Sequence, residues 1–205
     1  MISRAALSTV VQGQPKYRSM LAGNAAFSPG AFESIATIIA TGGETSLSFT
    51  SIPANFRHLQ IRFSARSLRT GSAPGSENLN LQFNGDTGAN YAFHFVRCDG
   101  TNVVGGASSS TSQINVNNAV IASGSSNTTI YSPGIIDIHD YAVTTKNKTV
   151  RALCGYAFAV ANGRYALGSG FRNSTSAITS IALTADGQQF AANSIFALYG
   201  IKGAS

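Results

Sequence analysis

From residue 31 onward the chain alternates apolar and polar positions, with turn residues interrupting roughly every 8–15 positions. Ser46-Leu47-Ser48-Phe49-Thr50 alternates cleanly, and so does His58-Leu59-Gln60-Ile61-Arg62-Phe63-Ser64. In a strand, successive side chains point to opposite faces, so Leu59, Ile61 and Phe63 face inward while Gln60 and Arg62 face out. Asn78-Leu79-Asn80-Leu81-Gln82-Phe83 follows the same rule, and Asn84-Gly85 then supplies a tight turn that needs positive φ. Tyr91, Phe93 and Phe95 share the next inner face. The pattern predicts further strands near 31–39, 113–120, 133–141, 148–157, 164–172, 177–184 and 190–201. Turns are expected at Gly42-Gly43, Asp99-Gly100, Gly105–Thr111, Ser123–Asn127, Asn162-Gly163 and Asp186-Gly187. About ten antiparallel strands without helices between them imply an all-β fold, an antiparallel β-sandwich of jelly-roll type.

Residues 1–30 break this pattern. They hold no sustained period of 2 or 3.6, apart from a possible helical turn at Ser3–Val11. They read as an extended N-terminal arm ahead of a sandwich domain at 31–205. The arm is dotted with apolar and basic residues, and Arg4, Leu7, Val11, Lys16, Tyr17, Arg18 and Phe27 are its candidate anchors to partner subunits.

Composition sharpens the picture. Charged residues are only 11% of the 205, and Ser, Thr, Asn, Gln and 21 Gly take their place. Such a surface disfavours long salt-bridged helices. It suits subunits packed side by side, because a buried hydroxyl or amide needs only a hydrogen bond whereas a buried lone charge is costly. The net charge is +6, half of it contributed by Arg4, Lys16 and Arg18 in the arm. Spread over the remainder, the other half forms no basic stripe, so sequence-specific nucleic-acid binding is not expected. No apolar run is long enough to span a membrane as a helix. The N-terminus is too short and polar in its apolar stretch for an export signal, so synthesis in the cytoplasm is expected.

Candidate chemistry is sparse. Cys98 and Cys154 sit in apolar alternating runs and read as buried free thiols. Asp137, His139 and Asp140 form the densest polar cluster. One reading makes it a metal or acid–base site, since 137 and 139 share a strand face; the other makes it a set of structural partners for Lys146, Lys148 or Arg151. Asn84-Gly85-Asp86-Thr87-Gly88 has oxygens that suit Ca²⁺, yet a hairpin turn accounts for the same residues. Glu33, Glu77 and Asp137 are the carboxylates open to a glycosidase reading, which needs two flanking one bond. Tyr91, Tyr131, Tyr156 and Tyr165 are the rings that a saccharide could stack on. No nucleophile elbow, phosphate loop or dinucleotide fingerprint occurs, so no catalytic residue, metal or cofactor is assigned.

Six segments, in consistent order along residues 32–202, carry a family resemblance: Phe32–Thr37; Phe49–Arg62; Leu81–Tyr91; Ile136–Tyr141; Lys148–Arg151; and Phe196–Lys202. Together the chain resembles small structural proteins of tailed bacteriophages, well represented among phages of cyanobacteria and other aquatic bacteria. The resemblance implies a non-enzymatic β-sandwich virion protein and carries no catalytic residues. It implies as partners the major capsid protein or other virion proteins. The short free-standing chain then suggests a capsid decoration (cement) protein that stabilises the shell as a homotrimer. The rival expectation is a tail-fibre or receptor-binding tip that reads host polysaccharide, or another tail or baseplate structural part.

Overall fold

The computed structural model describes residues 30–70, 75–116, 121–124, 129–159 and 162–203. The chain divides into a unit ending at Phe32 and a unit beginning at Glu33, and the second carries the sheets. The arm residues Arg4, Leu7, Val11, Lys16, Tyr17, Arg18 and Phe27 lie outside the described residues.

Fourteen strands are described: β1 (Phe32–Ile39), β2 (Ser46–Phe49), β3 (His58–Ala65), β4 (Ser76–Glu77), β5 (Asn80–Phe83), β6 (Tyr91–Cys98), β7 (Val103–Thr111), β8 (Ile114–Asn115), β9 (Ile121–Ala122), β10 (Ser132–His139), β11 (Lys148–Ala159), β12 (Asn162–Arg172), β13 (Ile181–Thr184) and β14 (Ile195–Ile201). They form an eight-stranded sheet in the order β1-β14-β3-β10-β11-β12-β6-β7, a four-stranded sheet β2-β13-β5-β8, and a pair β4-β9. The central pairs β3–β10, β10–β11, β11–β12 and β12–β6 run antiparallel, as does β13 with both neighbours. The fold is an all-β antiparallel sandwich, as the alternation predicted.

The core lies between the two sheets. Along β3, Leu59, Ile61 and Ala65 are fully buried and Phe63 nearly so, while Arg62 is exposed. Ile136 and Ile138 of β10 and Leu198 of β14 continue this layer, and Leu81, Phe83, Ile181 and Leu183 meet it from the smaller sheet. Each such Leu, Ile or Phe contributes roughly 1.5–3 kcal/mol of burial. Small residues let the sheets close: at Gly170 of β12 an added Cβ would lie 2.7 Å from Ile114 of β8. The Asn84-Gly85 turn has φ of 54° and 64°, and Asp186-Gly187 has 50° and 79°, the left-handed geometry that such hairpins need.

Two expected turns lie in strand instead, and Asn162-Gly163 is one of them, opening β12 where both residues pair with β11. A turn is expected at Gly105–Thr111, but Val103–Thr111 is a strand of nine residues. Its pattern shows no buried position at all, so there was no apolar face for alternation to reveal. The strand expected near 113–120 is described only as the short β8, paired with β5. Those expected near 177–184 and 190–201 begin later, at Ile181 and Ile195.

Candidate functional site

The loops at one end of the sandwich are cross-braced by polar side chains. Asp86 follows the Asn84-Gly85 turn, and its Oδ2 accepts from Arg172 Nε at 2.8 Å while Oδ1 accepts from the Gly88 N–H at 3.0 Å and Asn90 Nδ2 at 3.1 Å. Burial pushes this carboxyl up, but Arg172, the Gly88 N–H and Asn90 outweigh it and hold the group below its ordinary value. The ring of Tyr91 reaches back so that its hydroxyl bonds the Phe83 N–H and C=O and the Asp86 C=O. Asn84 Oδ1 accepts from the Thr179 and Ser180 N–H groups, and its Nδ2 donates to Ala177 C=O. The calcium reading gives way here to the hairpin. Both oxygens of Asp86 are already taken by donors, which a cation would have to displace.

At the same end, Lys148 is fully buried on the inner side of β11, and its ammonium donates to the carbonyls of Val143, Lys146 and Thr175. Three carbonyls replace the ammonium's three water partners, which is how a buried lysine keeps all of its donors satisfied. Lys148 therefore makes no ion pair with the Asp137/His139/Asp140 cluster, contrary to one of the partners expected for it.

The other two expected partners are in place. Asp137 lies directly opposite Gln60 on β3 and Arg151 on β11, and it accepts from both at 2.8 Å. Asp140 is held by Arg57 Nε at 2.8 Å and Lys146 Nζ at 2.9 Å. His58 and His139 meet edge to face at 5.1 Å, and the Asp140 N–H donates to His58 Nδ1 at 3.1 Å. Burial, then His139, pushes the His58 pKa down, which keeps Nδ1 free to accept. Among the described residues no three His, Cys, Asp or Glu are grouped to hold a metal.

The remaining carboxylates are equally occupied. Glu33 pairs with Lys202, and Glu77 with Arg69 and the Asn78 N–H. Glu44 closes its own turn through the Thr41 hydroxyl and N–H and the Gly42 N–H, which lower its pKa to about 2. Asp99 accepts from the N–H groups of Asn102 and Thr101, and Asp186 from Asn78 and Asn80. The glycosidase candidates are dispersed. Glu33 is on the edge strand β1 and Asp137 on β10, three positions away in the sheet, or about 14 Å at ordinary strand spacing. Glu77 lies in the separate β4-β9 pair.

Among the tyrosines, Tyr91 and Tyr156 are buried and Tyr131 donates its hydroxyl to Ala192 C=O. Tyr165 is 53% exposed, on the outer face of the eight-stranded sheet. That face holds what the alternation missed. Ile135, Leu153, Leu167 and Val96 stand opposite one another across β10, β11, β12 and β6, and all four are exposed. Beside them lies an open depression of about 840 Å³, bounded by Pro133, Ile135, Leu153 and Tyr165 and floored by Gly155 and Ala157. The signal in the sequence was the presence of apolar residues at both parities, in Ile135-Ile136 and Leu153-Cys154. Both cysteines are free thiols, Cys154 buried and Cys98 partly so.

No protein-family model and no curated protein matches the chain. Among solved structures, the fructofuranosidase from Schwanniomyces occidentalis complexed with fructose aligns at 7% identity and a TM-score of 0.27. The alignment covers 86% of this chain, which spans about 35% of that protein. A likeness at this level carries no inference about fold or chemistry.

Proposed function

We propose that this chain is a non-enzymatic structural protein of a tailed-phage virion, made in the host cytoplasm and acting as a capsid decoration protein. In this reading its homotrimer binds the major capsid protein through the arm and the sandwich caps the shell. The observation that carries the reading is the disposition of the acids. All eight carboxylates hold their own turn, loop or neighbouring strand, as the bonds above set out, and only one of them, Asp99, lines the depression, so no pair of acids converges there. The outer sheet face offers apolar side chains for contact instead, and the segments resembling phage structural proteins agree with such a role. Counting copies per purified particle tests it: abundance comparable to the major capsid protein is expected, and abundance typical of a tail part overturns it. A chain of monomeric mass in solution overturns the trimer.

One observation favours the second reading, a tail-fibre tip. Tyr165 presents its ring beside a broad depression, and a sugar ring can stack on such a platform. Binding of host surface polysaccharide by the intact protein, abolished by Tyr165→Ala, is the result expected of that role.

A further inference from the structure

β7 is the outermost strand of the eight-stranded sheet, hydrogen-bonded on one side to β6 and on the other to no described strand. Its free edge therefore presents alternating N–H and C=O groups to solvent. Among the described residues no strand of the smaller sheet covers β7, because that sheet ends at β8, which packs under β12 and β6, and only the Phe95 ring lies over Gly106. Val103 is 76% exposed and Val104 39%. Monomeric proteins usually guard such an edge with Lys, Pro, a bulge or a very short strand. β7 has nine residues and neither Lys nor Pro. Its one irregularity is a bulge at Ser109-Ser110, opposite Ala92 and marked by φ of 55° at Ser110. That leaves Val103–Ser108 regular and bare.

Charge narrows the choice of partner. No charged residue occurs anywhere from Gly100 to Ile136, although the chain carries a net +6. Like charges directly opposite in a sheet are destabilising, so a neutral segment is one that can meet its own copy without repulsion. Gly105-Gly106 at its centre brings no side chain of its own to either face of such a junction. The far edge of the sheet differs, since β1 carries the charged Glu33 at its start, paired with Lys202 just past β14. The apolar row Ile135–Leu153–Leu167–Val96 also ends against Gly105 of β7, so a second copy joined there would continue it.

We propose that Val103–Ser108 pairs antiparallel with the same segment of a second copy about a two-fold axis, making one continuous sheet of two molecules. An isologous contact of this kind satisfies both bare edges at once. It goes beyond the trimer reading: a two-fold contact cannot close a ring of three, so it joins two monomers or two trimers.

The test uses the full chain. Sedimentation equilibrium over a wide concentration range is expected to find an even-numbered species that dissociates on dilution. The double substitution Val103→Lys/Ala107→Lys adds positive charge at solvent-facing positions of the edge. It should weaken that association at least about tenfold, the equivalent of about 1.4 kcal/mol, with an unchanged circular dichroism spectrum. Independently of any variant, amides of 103–108 in the wild-type protein should exchange more slowly as concentration rises. A wild-type mass that stops at monomer or trimer overturns the pairing, the second outcome leaving the trimer standing. So does an even-numbered species that ignores the lysines, or open-ended aggregation in place of a closed pair.

Discussion

Replacing Asp86 with Asn puts the bracing of the sandwich end to a quantitative test. The Arg172 side chain is 9% exposed and that of Asp86 15%, and one Arg172 nitrogen, Nη1, is buried without a hydrogen-bond partner. The carboxylate is therefore what compensates a guanidinium shut away from water. Removing one partner of a fully buried pair costs about 3–5 kcal/mol. Here some water contact remains and the new amide can still accept a bond, so Asp86→Asn should cost about 2–4 kcal/mol. At about 2–4 °C per kcal/mol for a domain of this size, Tm should fall by about 5–15 °C. Urea unfolding of wild type, Asp86→Asn, Arg172→Met and the double variant gives the coupling, expected to exceed about 1 kcal/mol. Acid adds a second readout. The folded carboxyl titrates below its ordinary value of 3.8, so its contribution is complete above that pH and is lost as pH falls through the lower folded value. Asp86→Asn should lack this acid-dependent loss, and added calcium should leave the wild-type Tm unchanged. A cost below about 0.5 kcal/mol, the range of exposed ion pairs, would refute the reasoning and mean that the pair is solvated.

Other outcomes follow from the same contacts. Tyr91→Phe removes a buried hydroxyl with three backbone partners at Phe83 and Asp86 and should cost about 1–3 kcal/mol by urea unfolding. Gly134→Ala should cost at least about 1–3 kcal/mol by overpacking, because its Cβ would lie 2.2 Å from the Phe63 ring and 2.8 Å from Cys154. Lys148→Met strands the carbonyls of Val143, Lys146 and Thr175 and should lower Tm. A neutral or raised Tm would mean that shedding the desolvation cost of the charge outweighs the lost bonds. His58 has a folded pKa below its ordinary 6.5, so stability should be complete above 6.5 and decline as pH falls through that value toward the folded one. His58→Asn, which keeps an acceptor for the Asp140 N–H, should flatten that slope in denaturation measured across pH.

How much was legible in advance varied with burial. The strands β3, β5, β10 and β11 were readable because one face of each is buried, so Leu59-Ile61-Phe63 and Ile136-Ile138 had to recur at period 2. The turn at Asn84-Gly85 was readable from its local chemistry. Two structural partners of Asp137 and Asp140 were foreseeable because Arg151 and Lys146 return on the adjacent strand and turn, whereas Gln60 and Arg57 come from a distant stretch of the chain and were not. The role of Lys148 was not, since only folding brings Thr175 C=O to its ammonium. The opening and closing of carboxylates to chemistry was equally hidden. Asp86 and Arg172 are far apart in the chain, and their contact depends on the pairing of β6 with β12, which sets Arg172 opposite Tyr91.

The amino-acid order alone determined the all-β class, the inward residues of the central strands and the neutral character of the surface, because these follow from side-chain periodicity and charge content. Tertiary structure decided the rest. Non-local pairing committed Glu33, Asp86, Asp137, Asp140 and Asp186 to distant partners, and strand order set Ile135, Leu153, Leu167 and Val96 in one exposed row. It also left Val103–Ser108 at a bare sheet edge. Neighbours in a sheet are set by pairing across long sequence separations, and local pattern carries little information about them.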